Sequence, residues 1–203
     1  MKKSFVFFLV IFSALFINAE GLKVFGGGNF SSYSFDIEGI QHTSEWAVGF
    51  LAGGGFEFEI NHSMLFGINL IYQRRAGKEP YVLGDLKLGL NELSVPIYLK
   101  FRFSEKTGPY AILGAEFSYV LSYTAKDTLT ELSLKIESET NDFEAGLITG
   151  LGYETEKFFF EARFYLGFVK LLNDIHNVAN LYNYYPNSNL KFKTISIIFG
   201  LKL

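Results

Sequence analysis

The last ten residues of the chain, TISIIFGLKL, alternate between apolar and polar or small side chains up to the final residue. Large apolar residues occupy every second position from Ile195 to Leu203, and Thr194, Ser196, Gly200 and Lys202 belong to the opposite face. Successive side chains of a β-strand point to opposite faces, so this pattern predicts a strand with one apolar face that must be shielded from water. Because the same alternation recurs along the chain, it favours an all-β fold.

Strand-like alternation occurs in eight segments, which are residues 22–30, 46–60, 64–74, 93–103, 110–123, 143–154, 158–170 and 191–203. Most have the length of a tilted strand that crosses a bilayer, which takes about 9–11 residues. The connections alternate between short turns and long segments: the turns are 61–63, 104–109 and 155–157, and the long segments are 31–45, 75–92, 124–142 and 171–190. This rhythm predicts an eight-stranded antiparallel up-and-down transmembrane β-barrel with short periplasmic turns and four long extracellular loops.

The N-terminus has the features of an export signal. Lys2 and Lys3 precede an apolar run of about 13 residues, and Ala19 supplies the small residue required at the cleavage site. A membrane-spanning helix needs about 20 residues, so the run is too short to be one. We therefore predict a signal peptide at 1–19 and an outer-membrane β-barrel domain at 20–203.

Composition excludes several classes of site. The chain has no cysteine, which rules out a lipoprotein anchor, a disulfide and a thiolate ligand. Its formal net charge of −3 offers no electrostatic basis for binding nucleic acid.

Side-chain size predicts which face of the sheet lines the lumen. Small residues such as Gly49, Gly53 and Gly150 share one face, whereas the other carries bulky groups such as Phe58 and Phe164. An eight-stranded barrel is only wide enough inside to be filled by its own side chains. We therefore assign the small residues to the lumen and the bulky ones to lipid. The alternative is a soluble periplasmic calyx, in which the apolar face would line a cavity.

Charged residues lie on the same face of the sheet as the small residues. The acids and bases predicted to form a charge network inside the barrel are Lys23, Glu57, Glu59, Lys100, Arg102, Glu116, Glu144, Glu154, Glu161, Arg163 and Lys202. A Lys or Arg facing lipid at mid-depth costs about 2–4 kcal/mol, which disfavours the opposite assignment. Charges of both signs can pair across a filled lumen, which is a structural role. The alternative is a gated ion path.

Three local irregularities carry predictions. Pro96 lies within a strand, where it cannot donate to the ladder, so we expect a missing hydrogen bond there. The apolar phase of residues 86–90 shifts before the next strand, which predicts a β-bulge near Asn91 and Glu92. Alternation in 132–137 predicts a hairpin ribbon that continues beyond the membrane.

Three segments resemble a known family. They are LSVPIYLKFRF at 93–103, GPYAILGA at 108–115 and NDFEAGLITGLGYE at 141–154, and they resemble the middle and the sixth strand of the PorT-like outer-membrane β-barrel proteins. The resemblance implies an eight-stranded barrel in the outer membrane of a Gram-negative bacterium. It carries over no catalytic residue. The chain ends in Leu203, where many outer-membrane barrels end in an aromatic residue.

Residues with catalytic or metal-binding chemistry are few. His42 and Ser44 have the His-x-Ser spacing of outer-membrane lipid A deacylases, but they fall in a predicted loop. Asp174 and His176 could form half of a metal site, but no further ligand spacing supports one. We expect no catalytic, cofactor or metal site, and no enzymatic activity.

The leading functional hypothesis is a non-enzymatic outer-membrane barrel whose loops serve surface contact, adhesion or envelope maintenance. The alternatives are a narrow pore or small-solute transporter, a component of a secretion machinery, and an enzyme that acts on lipid. The expected partners are outer-membrane lipid, the outer-membrane assembly machinery, and an extracellular ligand or protein that binds the loops.

Overall fold

The computed structural model describes residues 21–37, 40–81, 84–104, 107–127, 133–136, 143–168 and 191–203. Within these ranges it has no helix long and apolar enough to span a membrane. The predicted signal peptide at 1–19 and the predicted loop at 171–190 lie outside the described residues.

The described chain folds into a closed antiparallel barrel. Its strands are β1 (Gly21–Ile37), β2 (Ile40–Thr43), β3 (Glu45–Asn61), β4 (Met64–Tyr81), β5 (Gly84–Arg102), β6 (Gly108–Asp127), β7 (Ser133–Ile136), β8 (Phe143–Glu154), β9 (Phe158–Gly167) and β10 (Lys191–Lys202). Eight of them pair in the order β1-β3-β4-β5-β6-β8-β9-β10, and β10 pairs with β1 to close the ring. The short strands β2 and β7 add to β1 and β6. The predicted eight-stranded barrel is confirmed.

The two ends of the barrel differ. Short turns join β3 to β4, β5 to β6 and β8 to β9 at one end, which we call the turn end. Gly108 starts β6 there with a φ of 143°, a conformation that favours glycine. At the opposite end, the ribbon end, β6 continues to Asp127 and pairs with β7 within the segment for which a ribbon was predicted.

Strands at the ribbon end are longer than predicted. The predicted loop 75–92 is wrong in part, because β4 runs to Tyr81 and pairs with β5 up to Gly84. The strand-like period of two that residues 86–90 show is confirmed, since they belong to β5. The predicted loop 31–45 is likewise wrong in part, because β1 continues to Ile37 and pairs with β2. Outward-facing residues beyond the lipid no longer need to be apolar, so the alternation ends although the backbone pairing continues.

The predicted bulge is present. The register between β5 and β6 shifts at Asn91 and Glu92, which pair with Ser122 and Val120. The additional residue is therefore Leu121 of β6, and β5 keeps its alternation through this point.

The predicted gap at Pro96 is also confirmed. Pairing between β4 and β5 stops after Ile68–Ile97 and resumes at Ile71–Ser94, so Pro96 has no ladder partner on β4. On its other side Pro96 pairs with Glu116 of β6.

Burial follows the predicted faces. On β10, Ile195, Ile197, Phe199 and Leu201 are 39–57% exposed, whereas the residues between them are buried. Large apolar side chains thus cover the outside of the barrel, as lipid requires. A soluble calyx would bury them, so the structure disfavours that alternative.

Aromatic rings fill the lumen by lying across glycines of neighbouring strands. A Cβ at Gly67 would overlap the Tyr98 ring, and one at Gly152 would overlap the Tyr110 ring. Both tyrosines are at most 2% exposed. Glycine at these two positions is therefore required by close packing.

Candidate functional site in the barrel lumen

Glu57 is the centre of one ion-pair group near the turn end. Its Oε1 accepts hydrogen bonds from Lys23 Nζ at 2.7 Å and from the Tyr98 hydroxyl at 2.9 Å. Its Oε2 accepts from Lys100 Nζ at 2.9 Å. Lys23 lies on β1, Glu57 on β3, and Tyr98 and Lys100 on β5. Each of these positions faces the lumen in the alternation of its own strand. Both oxygens of the buried carboxylate are therefore paired, as burial of a charge requires.

Glu154 is the centre of a second ion-pair group near the turn end. Lys100 Nζ lies 2.7 Å from its Oε2, and Lys202 Nζ lies 3.1 Å from the same oxygen. Arg102 Nε donates to Oε1 at 2.7 Å. One carboxylate from β8 thus links cations of β5 and β10 across the lumen.

A third carboxylate, Glu161, pairs along its own strand. Arg163 Nε donates to Glu161 Oε1 at 2.8 Å, and the Tyr110 hydroxyl lies 3.1 Å from Oε2. The two charged side chains belong to β9 and both are buried. This pair completes the charge network of the turn-end half.

Arg75 is the centre of the ribbon-end group. Its Nη1 lies 3.0 Å from Glu144 and 3.4 Å from Glu92, and its Nη2 pairs with Glu116. The guanidinium carbon stacks 3.8 Å from the centroid of the Tyr165 ring. The Arg75 side chain is 1% exposed, so this arginine is fully enclosed by three carboxylates and a ring.

A neutral amide supports the same group. Gln73 Nε2 lies 2.7 Å from Ser94 Oγ, 2.9 Å from Glu116 Oε1 and 3.3 Å from Glu92 Oε2. Ser94 Oγ in turn lies 2.8 Å from Ser118 Oγ. Strands β4, β5 and β6 are therefore held together inside the barrel by side-chain hydrogen bonds as well as by their ladders.

Among the described side chains, lumen charge balances over the barrel as a whole but separates along its axis. The turn-end half contains the cations Lys23, Lys100, Arg102, Arg163 and Lys202 with the anions Glu57, Glu154 and Glu161. The ribbon-end half contains the cation Arg75 with the anions Glu92, Glu116 and Glu144. The formal charges are thus 5 − 3 = +2 and 1 − 3 = −2, which sum to zero.

The structure brings together ten of the eleven residues predicted for the network and excludes one. Glu59 lies near the end of β3, is exposed, and pairs with His62 of the adjacent turn at 3.3 Å. Its placement in the lumen is therefore corrected. Glu59 occupies a position that faces inward in the alternation of β3, but β3 has already emerged into solvent at that position.

Sequence reasoning missed Arg75 and Glu92, which stand at the centre of the ribbon-end group. Both fell in the predicted loop 75–92. The signal that would have found them is the inward phase, which continues from Ile71 through Gln73 to Arg75 on β4 and from Ser94 back to Glu92 on β5.

Apolar and aromatic side chains occupy the space between the ion pairs. One buried cluster contains Tyr98, Tyr110, Ile112, Ile148 and Tyr165, and a second contains Phe25, Leu51, Ile71, Phe159 and Ile198. The lumen is therefore packed with side chains along its length, and the charges in it are fixed by partners.

Catalytic and metal chemistry has little support among the described side chains. They include no group of three or more His, Asp or Glu residues arranged to hold a metal ion. The backbone of His42 lies in β2, but its side chain is outside the described part of the chain, as are Asp174 and His176. What the site can do is hold the barrel rigid through ion pairs.

Solved structures of small membrane barrels are similar to the chain. Neisserial surface protein A (NspA) is 15% identical, covers 90% of this chain and 97% of its own, and has a TM-score of 0.55. Ail, the attachment invasion locus protein of Yersinia pestis, solved with the heparin analogue sucrose octasulfate, is 16% identical over 91% of this chain and 99% of its own, with a TM-score of 0.45. The outer membrane protein OprG from Pseudomonas aeruginosa is 13% identical over 92% of this chain and 97% of its own, with a TM-score of 0.49.

Of these three structures NspA alone has a TM-score above 0.5, and at 15% identity this likeness shows the fold alone. No curated protein matches the chain significantly. Residues 20–173 match the family described as outer membrane protein beta-barrel domain, which is more than half of the chain. The chain therefore belongs to the outer membrane protein β-barrel domain family and resides in the bacterial outer membrane.

Proposed function

We propose that the protein is a closed, non-enzymatic barrel that holds its ribbon-end segments at the cell surface for contact or adhesion. The observation that carries this proposal is the contrast between its lumen and its strands. Among the described residues, paired charges and rings fill the lumen, which argues against an open path through it. Several strands, by contrast, continue far beyond the length that a membrane requires.

Strand length differs around the barrel. β6 has 20 residues, which is about 66 Å along the strand and about 50 Å in height at the usual tilt. The hydrocarbon core is about 30 Å thick. β9 has only 10 residues and reaches a height of about 25 Å. The projecting part is thus a wall formed by the five long strands β1, β3, β4, β5 and β6, extended by β2 and β7, whereas the described β8, β9 and β10 are shorter.

This wall is suited to surface contact because its backbone is ordered by strand pairing before any partner binds. By the usual rule for this class of barrel, short turns face the periplasm and longer segments face outward. The wall then stands on the extracellular side.

Deletion of residues 125–140, with a short Gly-Ser turn in their place, tests this proposal. We expect the barrel to fold and insert, since the ion pairs and the membrane-crossing strands remain, while adherence of expressing cells and their aggregation in suspension decrease. The matched control replaces residues 155–157 at the turn end with the same linker. Unchanged adherence after the 125–140 deletion, with the variant inserted, would argue against the wall as the contact surface.

Electrophysiology distinguishes the closed barrel from the alternative, a narrow pore. An ion that crosses the lumen would pass fixed charges of both signs and the tyrosines between them, so we expect no steady conductance in planar bilayers. Conductance steps that change in an Arg102→Ala or Glu116→Ala variant would favour the pore.

We further infer that the chain is PorT-like within its family. Support comes from the segments at 93–103, 108–115 and 141–154, which contain the second half of β5, the start of β6 and the whole of β8. A role in secretion would require stable association with other envelope proteins. Purification of the tagged barrel from its native membrane as a single species would count against that role.

A further inference from the structure

The group around Arg75 has more negative charge than its own contacts neutralise. Glu92, Glu116 and Glu144 surround one guanidinium, so the formal charge of the group is 1 − 3 = −2. The three carboxylate side chains are at most 4% exposed. A buried carboxylate that lacks a partner for its charge is neutralised instead. The charge count therefore requires at least one proton or another cation within this group.

Glu116 is the carboxylate with the closest donors. Its Oε1 pairs with Arg75 Nη2 and accepts a second hydrogen bond from Gln73 Nε2 at 2.9 Å. Among the three ion pairs of Arg75, the one with Glu116 has the shortest contact. The positive charge of the guanidinium is therefore neutralised chiefly by Glu116.

Glu92 and Glu144 compete for what remains of the guanidinium. Both approach the same nitrogen, since Arg75 Nη1 lies 3.4 Å from Glu92 and 3.0 Å from Glu144. The second oxygen of each, Oε1, is buried and has no hydrogen-bond partner among the described residues. The two carboxyl groups are also near enough to form a hydrogen bond with each other, which requires a proton on one of them. Two neighbouring carboxylates repel each other, so ionising both is costly.

Tyr165 supports placing that proton on Glu92. Its ring stacks on Arg75, and its buried hydroxyl borders Glu144: a Cβ added at Gly167 would lie 2.7 Å from Glu144 Oε1 and 3.3 Å from the hydroxyl oxygen. A tyrosine hydroxyl can donate a hydrogen bond to a carboxylate. Glu144 thus has Arg75 and Tyr165 beside it as donors in its ionised form, whereas Glu92 has the longest contact with the guanidinium.

No further cation faces the pair in the described part of the chain. The titratable groups around it are Arg75 on β4, Glu116 on β6, Tyr165 and Arg163 on β9, and Tyr33 on β1. Arg163 is already paired with Glu161. β3 presents the apolar Leu51, and β10 presents Phe192, because the lysines on either side of Phe192 are exposed.

We propose that Glu92 holds a proton at neutral pH and donates it in a hydrogen bond to Glu144, so that the stability of the ribbon-end half depends on pH. Loss of this proton adds a negative charge between β5 and β8. Glu92 lies next to Leu93, which belongs to the apolar belt, and thus at the base of the wall. Acidic surroundings therefore hold the base of the wall more firmly than alkaline ones do. The inference concerns the barrel itself and does not depend on what the wall contacts.

Infrared spectroscopy detects the proton directly, because a protonated carboxyl group has a carbonyl stretching band that an ionised one lacks. The barrel is folded in dodecylphosphocholine micelles, since the ester carbonyls of phospholipid vesicles absorb in the same region. We expect this band in wild type at neutral pH and expect it to be lost in both Glu92→Gln and Glu144→Gln. Each glutamine removes one of the two carboxyl groups, and its amide can donate the hydrogen bond that the proton supplied.

The pH dependence of unfolding gives a second measurement. In the unfolded chain a glutamate is ionised above about pH 5. The folded protein then binds one more proton than the unfolded chain, so its stability falls as the pH rises until the folded protein also releases that proton. Urea unfolding in phosphatidylcholine vesicles is followed through Trp46, the single tryptophan of the chain. One proton corresponds to a fall in the midpoint of about 0.7 M per pH unit, and we expect Glu92→Gln to remove this part of the slope.

The matched control is Glu161→Gln, another buried lumen carboxylate, whose oxygens already have Arg163 and Tyr110 as donors. It should keep both the infrared band and the pH slope of wild type. Heat-modifiability on detergent gels identifies folded variants, and the exposed Glu59→Gln replaces this control if Glu161→Gln does not fold.

Two results would overturn the proposal. One is a wild-type protein without a protonated carboxyl band at neutral pH, or with a band that both Glu92→Gln and Glu144→Gln retain. The other is a pH slope that Glu92→Gln leaves unchanged. If the band is absent and the unfolding midpoint instead rises with sodium, potassium or calcium concentration, a bound cation neutralises the group and the proton assignment is wrong.

Discussion

Replacement of Arg75 by methionine is the most informative perturbation of the lumen. The Arg75 side chain is 1% exposed and pairs with Glu92, Glu116 and Glu144, which are themselves at most 4% exposed. Arg75→Met would leave three buried carboxylates with no cation in their group. Removing one partner of a buried ion pair costs about 3–5 kcal/mol. A domain is typically stable by about 5–15 kcal/mol, so the variant should lose a large part of its free energy of unfolding.

Urea unfolding of the barrel in phosphatidylcholine vesicles, followed by the fluorescence of Trp46, measures this loss. With a denaturant slope of about 2 kcal/mol per molar urea, a loss of about 4 kcal/mol lowers the unfolding midpoint by about 2 M. Arg74→Met is a closely matched control. It makes the same chemical change one residue earlier on the same strand, where the side chain is exposed and has no carboxylate partner among the described residues. We expect it to alter the free energy by about 0.5 kcal/mol or less, as for most exposed positions.

Neutralising the carboxylates around position 75 should restore stability to the Arg75→Met variant. If the loss comes from uncompensated carboxylates, then adding Glu116→Gln and Glu144→Gln to Arg75→Met should recover part of it, although each glutamine alone removes an ion-pair partner. Equal midpoints for Arg75→Met and Arg74→Met would refute the reasoning. So would a triple variant that is no more stable than Arg75→Met.

Two further predictions concern packing and processing. Gly152→Val should destabilise the barrel by about 1–3 kcal/mol, because the new side chain overlaps the Tyr110 ring. Gly21→Val is the control and should have little effect, because nothing lies within 4 Å of the Cβ position. Urea unfolding midpoints compare the two variants, and similar losses of stability would contradict this prediction. The mature protein isolated from outer membranes should begin at Glu20, as intact-mass measurement would show; an uncleaved N-terminus would remove the signal-peptide assignment.

Much of the architecture was predictable from local pattern. Alternation identified all eight barrel strands, the alternating lengths of their connections indicated the up-and-down order, and a single proline marked the ladder gap. The faces followed from side-chain size. These features are local because each strand must place apolar side chains toward lipid along its own length. Each strand therefore shows a two-residue hydrophobic period in its own sequence.

The ends of the strands were less predictable for a physical reason. Above the apolar belt, the outward face meets water and tolerates residues such as Arg74 and Lys78, so the alternation that marks a strand ends while hydrogen bonding continues to Tyr81. Arg75 and Glu92 were consequently placed in a loop. At the other end, Glu59 kept the inward phase although its side chain had already reached solvent.

The class of fold, the number of strands, the face that meets lipid and the residue types of the lumen were all predictable from the amino-acid sequence, because each depends on the phase of single strands. Tertiary structure alone decided which charges pair, since Glu57 and Lys100 are 43 residues apart and meet only when the barrel closes. It also decided the axial separation of charge among the described lumen residues. These features depend on the register between strands, and register is set by closure and by the bulge at Leu121.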